Sequence, residues 1–97
     1  MDRASILAEL TTHRPLLAQR FGVREIGLFG SAARDELRPD SDIDLLVEFE
    51  TPPTFDRYFG LKDWLEQAFG REVDLVTPGG LKPRLRPQVE RDLIRVA

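Results

Sequence analysis

The sequence predicts a small α/β (α+β) domain in which helices pack on a mixed β-sheet. Three observations predict it. Strand-like runs at 23–29, 42–49 and 72–76 are separated by segments of helical periodicity. The link between the first two runs, residues 30–41, is too short for an ordinary parallel crossover helix, so those strands should pair antiparallel. The chain has 97 residues, 41% hydrophobic and 32% charged, a balance that suits one core and is too apolar for disorder. A single domain over residues 1–97 is expected.

Each element has its own signal. Ile6, Leu7 and Leu10 recur at helical spacing. Pro15 interrupts that ladder, so a second short helix is expected from about His13 to Arg20, with Leu16, Leu17 and Phe21 facing the core and Gly22 as its stop. Val23 to Phe29 reads as the first strand, ending at Gly30. Ser31 to Leu37 reads as a short helix with Ser31 at its N-cap, followed by a turn at Arg38-Pro39-Asp40-Ser41. From Asp42 to Phe49 the residues Ile43, Leu45, Val47 and Phe49 alternate onto one face. Thr51-Pro52-Pro53 breaks that strand, and a helix with a broad apolar stripe runs from Thr54 to Phe69, closed by Gly70. Glu72 to Val76 is the third strand, ended by Thr77-Pro78-Gly79-Gly80. The tail is helical from Pro87 to Leu93, with a short extended piece at Ile94-Arg95-Val96.

Composition excludes several chemistries. There are no cysteines, hence no disulfide framework and no thiolate catalysis or thiolate metal site. One histidine cannot form a cluster. A net charge of −3 argues against stable nucleic-acid binding by this chain alone. No apolar run approaches the length that spans a bilayer, and no leader is apparent, so a cytoplasmic location is expected and no membrane partner. Carboxylates, arginines, hydroxyls and glycines are what remain for chemistry.

The strongest signal lies between residues 30 and 44. Antiparallel pairing returns the chain on itself, which puts Gly30 and Ser31 beside Asp42 and Asp44. Glycine admits a ligand close to the backbone, and the free N–H groups of a helix start favour phosphate. Asp42 and Asp44, two apart on a strand, project from one face, and Asp74 joins them if its strand is a neighbour. Three such carboxylates repel one another unless a cation is present. The fitting cation is hard and oxygen-seeking, namely Mg²⁺. A phosphate cradle beside a carboxylate cluster suggests metal-assisted phosphoryl or nucleotidyl transfer. Each piece has a purely structural account: Asp40, Ser41 and Asp42 as turn and cap residues, Asp44 as a solvent-facing strand residue, Gly-Ser as a helix cap. Their convergence is what the structural account leaves unexplained.

Gly30-Ser31, ten intervening residues, then Asp42-Ile43-Asp44 resembles the signature of the DNA polymerase beta nucleotidyltransferase superfamily. The run GSAARDELRPDSDIDLLVEFE, with Phe21-Gly22-Val23 before it and EVDLVTP after it, is similar to the minimal nucleotidyltransferases (MNT) of that superfamily, which often act as antitoxins of HEPN toxins. The resemblance implies a polymerase-beta-like nucleotidyltransferase fold and two Mg²⁺ ions on Asp42 and Asp44, with Asp74 completing the ion that activates the attacking hydroxyl. It implies Gly30 and Ser31 on the β- and γ-phosphates of ATP, with Arg34 adding charge there and Ser41 orienting the loop. The reaction implied is transfer of AMP to a tyrosine hydroxyl of a HEPN partner, in a homo- or hetero-oligomer. Short length supports a protein acceptor, since larger relatives carry substrate-recognition domains. The family pattern has glycine where this chain has Asp35; an inward-facing acid there would weaken triphosphate binding, and Asp35 is expected to point outward.

Other residues are read as structural. Phe55, Tyr58, Phe59 and Trp64 have core spacing, with Trp64 the best interface candidate by phase. The basic tail, Lys82, Arg84, Arg86, Arg91 and Arg95, reads as a solvated helix face, and His13 has no catalytic role. Two further functions suit the same pattern: a catalytically silent antitoxin acting by contact, and a transferase acting on a small hydroxyl substrate.

Overall fold

The computed structural model describes residues 1–96. Asp2 starts the first helix, α1 (Arg3–Phe21), through a capping box: its carboxylate accepts from the Ser5 N–H at 2.9 Å, and the Ser5 hydroxyl accepts from the Asp2 N–H at 3.2 Å. Strand β1 (Val23–Phe29) leads into the four-residue α2 (Gly30–Ala33), and β2 (Ile43–Phe49) into α3 (Phe55–Phe69). Strand β3 (Val73–Val76) follows, then two 3₁₀ turns at Pro78–Gly80 and Pro83–Leu85. The chain finishes with α4 (Arg86–Asp92) and β4 (Ile94–Arg95).

The sheet order is β3-β2-β1-β4. β1 pairs antiparallel with β2 and β4, while β2 and β3 are parallel and joined by the α3 crossover. This is the expected mixed sheet. Ile26 and Leu28 of β1, Ile43, Leu45 and Val47 of β2, and Val73 and Leu75 of β3 are buried on one core with Ile6, Leu10 and Leu17 of α1 and Leu61 and Leu65 of α3. α4 lies at the opposite side of β1, where Leu93 packs so closely on Gly27 that a Cβ there would sit 2.6 Å from Leu93 Cδ1. No helix of the described residues is long and apolar enough to cross a membrane.

Two expectations are corrected. The break at Pro15 does not occur: α1 is one helix with Pro15 inside it. Proline forfeits the hydrogen bond to the Thr11 carbonyl, but the turns on either side both bury apolar residues on the same core, and that burial outweighs the lost bond. Leu16 is also not a core residue; it is 38% exposed while Leu17 is fully buried, because one residue turns the helix by about 100°. Replacing exposed Pro15 with alanine restores a donor and removes the ring clash. Pro15→Ala should raise stability by about 1–2 kcal/mol in thermal unfolding; a lower melting temperature would show that the proline geometry is required.

Candidate active site

The site is built where β1 ends. Phe29 pairs with Asp44 and Asp44 pairs with Asp74, in register, so the Asp44 and Asp74 side chains leave the same face of the sheet. Gly30 follows with φ +71°. A Cβ at Gly30 would overlap the Asp44 carboxylate, whose Cγ would be only 3.0 Å away. Both the left-handed backbone and the contact therefore demand glycine. Asp42 is exposed one residue before β2, and Asp74 is exposed on β3, the edge strand.

Asp44 is only partly exposed, and its carboxyl is pushed up to about 6, first by burial and then by repulsion from Asp74 and Asp42, with Arg34 opposing. Among the described residues no ion pair neutralises any of these three aspartates. Nor do three acidic or imidazole side chains already stand close enough to hold one ion. The donor chemistry nevertheless fits a hard divalent cation: oxygen ligands only, adjoining, with uncompensated repulsion at the centre.

Ser31 is not an N-cap. α2 begins at Gly30 with Phe29 in the cap position, and it stops at Ala33 where a helix to Leu37 was expected. The stop is a Schellman arrangement: the Asp35 N–H donates to the Ala32 carbonyl at 3.1 Å and the Glu36 N–H to the Ser31 carbonyl at 2.8 Å. Asp35 occupies the left-handed position of that motif, φ +59°, where glycine is the usual residue. Its carboxylate points outward as expected and accepts from the Arg3 N–H at 3.0 Å, fastening the turn to the start of α1.

Arg34 stands at the mouth of the site, but its charge is shared. Nη1 donates to the Asp92 carboxylate at 2.5 Å and Nε to Glu36 at 3.3 Å, and both bonds raise its pKa, Asp92 foremost. The Ser41 hydroxyl accepts from the Arg38 N–H at 3.2 Å and closes the 38–41 turn. Arg71, which sequence reasoning did not select, holds that turn from β3's side by donating to the Arg38 and Ser41 carbonyls at 2.7 and 3.0 Å.

Two cavities meet at Ser31 and Arg34. One, about 320 Å³, also has Gly30, Asp44, Phe29, Leu85 from the preceding 3₁₀ turn and the α4 residues Gln88, Val89 and Asp92 in its wall. The other, about 560 Å³, is polar and includes Glu36, Arg38, Asp40 and Ser41. The predicted residues are thus brought together in two groups, Gly30, Ser31, Arg34 and Asp44 in one and Ser31, Arg34 and Ser41 in the other. Asp42 and Asp74 lie outside both walls. These tail residues were missed because only tertiary packing brings the tail to β1; the sole local hint is Leu85 and Val89, four apart.

Elsewhere, Trp64 is not the exposed aromatic. It is half-buried with its ring edge-on to His13 at 5.0 Å, whereas Phe55 is 77% exposed and Phe59 46%. His13 also pairs with Glu9 at 3.1 Å, one turn earlier on α1.

The chain matches the nucleotidyltransferase domain family over residues 10–96. It is 45% identical over 87 residues to the protein adenylyltransferase MntA of Thermococcus cleftensis, across 90% of this chain and 88% of that one. It is similar to a solved structure described as a minimal nucleotidyltransferase, with 45% identity and a TM-score of 0.82, across 97% of this chain and 95% of that one. A toxin–antitoxin complex structure containing MntA is similar at 25% identity and a TM-score of 0.70, across 89% of this chain and 69% of that one.

Two outcomes follow from this geometry. Because the folded-state pKa of Asp44 lies above 3.8, the native chain takes up a proton between about pH 4 and 6 and loses relative stability as pH rises through that window. In metal-free buffer Asp44→Asn should therefore unfold at a higher temperature than the parent at pH 8, by an amount on the order of 1 kcal/mol after solvent screening, and the gap should close by about pH 4. Equal melting at pH 8 contradicts the repulsion. At the Schellman turn, Asp35→Val should cost about 1–2 kcal/mol, whereas Asp35→Gly should stay within about 0.5 kcal/mol of the parent in denaturant unfolding.

Proposed function

The chain belongs to the nucleotidyltransferase domain family, and from that premise we propose that it moves AMP from ATP onto a tyrosine hydroxyl of a HEPN-type partner protein, silencing it as an antitoxin. The observation that carries this reading is the contact of Gly30 with Asp44, itself in register with Asp74: the start of the α2 turn, with its first-turn N–H groups, is joined to a carboxylate pair. The curated relative at 45% identity is named for protein adenylylation, and the MntA-containing complex is a toxin–antitoxin pair.

In this mechanism the first-turn N–H groups at Gly30 and Ser31, which have no intrahelical acceptor, donate to the β- and γ-phosphates. Arg34 and Ser41 adjoin them, Arg34 by its remaining Nη2 donors and Ser41 by holding the loop that carries Asp42. Asp42 and Asp44 would hold Mg²⁺, two ions in the full complement, with Asp74 completing one of them; bound there, the metal supplies positive charge to the α-phosphate and to the attacking oxygen. At neutral pH Asp44 is ionised, since its pKa of about 6 lies below it. The tyrosine oxygen attacks the α-phosphorus, its proton passes to the Asp74 carboxylate, and the bond from the α-phosphorus to the bridging oxygen breaks to release pyrophosphate.

The test is incubation with labelled ATP, Mg²⁺ and the product of the adjacent gene, read by mass spectrometry. AMP should appear on a tyrosine of the partner. Asp42→Asn with Asp44→Asn should reduce labelling by about 10³-fold or more. If the double variant still neutralises the partner in cells as well as the parent does, neutralisation is by contact and the proposal fails.

A further inference from the structure

Among the described residues no hydrogen bond and no ion pair reaches the Asp74 carboxylate. Its place is set by the β3 backbone alone. That strand has four residues and a single strand neighbour, β2. The residue beside Asp74 on β2 is Asp44, and like charges directly opposite weaken strand pairing. A short edge strand with this repulsion at its second residue needs support from somewhere other than the sheet.

The support comes from α3. The Ile43 N–H donates to the Glu72 carbonyl at 3.0 Å, so Glu72, Asp74 and Val76 turn their backbone groups toward β2. The groups of Val73 and Leu75 therefore point outward, to where a further strand would pair. Two α3 side chains stand in for that strand. The Val73 N–H donates to the Glu66 carboxylate at 3.0 Å, and the Tyr58 hydroxyl donates to the Leu75 carbonyl. The residues immediately before and after Asp74 are thus each tied to α3.

We infer that Tyr58 and Glu66 are positioning residues, which hold the edge strand so that the Asp74 carboxylate stays beside Asp44. The inference rests on the reading of Asp74 as a metal ligand and proton acceptor, and it adds the side chains that keep it in place. Packing alone does not call for either polar group. Val73 and Leu75 are already buried on the core, and a phenylalanine would fill the space of the Tyr58 ring. Glu66 has no ion pair among the described residues, and its one hydrogen bond is the bond to Val73. What the hydroxyl and the carboxylate add is a grip on backbone at both sides of one functional residue. Precision there matters, because misplacing a reacting group by about 1 Å costs on the order of 10²-fold in rate.

A double-mutant cycle on the full chain tests this, read by Mn²⁺ binding in electron paramagnetic resonance and by the rate of AMP transfer to the partner. Tyr58→Phe keeps the ring against Phe59 and removes only the hydroxyl. Glu66→Ala removes the carboxylate at a helical position that alanine suits, and Glu66→Gln keeps an oxygen that accepts from the Val73 N–H. Tyr58→Phe and Glu66→Ala should each weaken Mn²⁺ binding about fivefold and slow transfer about tenfold, with Glu66→Gln within about twofold of the parent. Asp74→Asn should itself weaken Mn²⁺ binding about tenfold, and in that background Tyr58→Phe and Glu66→Ala should change it by less than about twofold. Equal losses in both backgrounds make the two contacts merely structural and overturn the inference. Parent-like Mn²⁺ binding and transfer in Tyr58→Phe and Glu66→Ala also overturn it, and if Asp74→Asn is impaired the reading of the site stands. An Asp74→Asn chain that binds Mn²⁺ and transfers AMP as the parent does overturns both.

Discussion

One close contact organises this molecule: the Asp44 carboxylate occupies the space that a side chain at residue 30 would fill. Several features are consequences. The chain leaves β1 through a left-handed glycine, because no other residue suits both the backbone angle and the gap. The N–H groups of the following turn then lie next to a carboxylate, an arrangement that wastes donors in a purely structural domain and suits a bound phosphate and cation in a functional one. Because β2 is also paired in register with β3, the same residue draws Asp74 into the group. Folding therefore accepts a destabilising charge, visible in the raised pKa of Asp44, at the point where chemistry needs it.

The tail closes the other side of the site. α4 has seven residues and would not persist alone, so its position depends on tertiary contacts. Leu93 on Gly27, the β4 pairing and the Arg34–Asp92 ion pair supply them. The ion pair has a second effect: Arg34 arrives at the cavity already oriented, with Nε and Nη1 engaged and its remaining donors directed by that fixed geometry. A single arginine at the end of α2 thereby joins the turn that carries Gly30 and Ser31 to α4.

Most of the architecture was legible locally. β1 was found as a strand-like run stopped by Gly30 and β2 by alternation, and the short 30–41 link implied their antiparallel pairing, which in turn brought Gly30 and Ser31 to the start of β2. Thr54 and Gly70 marked the ends of α3 to within a residue. The failures share one cause. Pro15 looked like a break because local propensity opposes a proline inside a helix, yet core burial on both sides carried α1 through it. Ser31 looked like an N-cap and α2 like a two-turn helix, but Asp35 took the left-handed position, held there by a bond to the start of α1. Trp64 looked the best interface candidate by phase and is half-buried against His13, a residue on another helix.

The sequence by itself determined the sheet, its mixed pairing, the glycine–serine turn and the three aspartates, because strand alternation and fixed spacing are local properties that one chain of side chains displays openly. Tertiary structure decided what those residues face. That α4 walls the cavity, that Asp92 engages Arg34, that Arg71 holds the Ser41 turn and that Phe55 and Phe59 remain exposed all depend on contacts between residues tens of positions apart. Such contacts form only when a shared core fixes the relative placement of whole elements, and no local pattern encodes the distance between them.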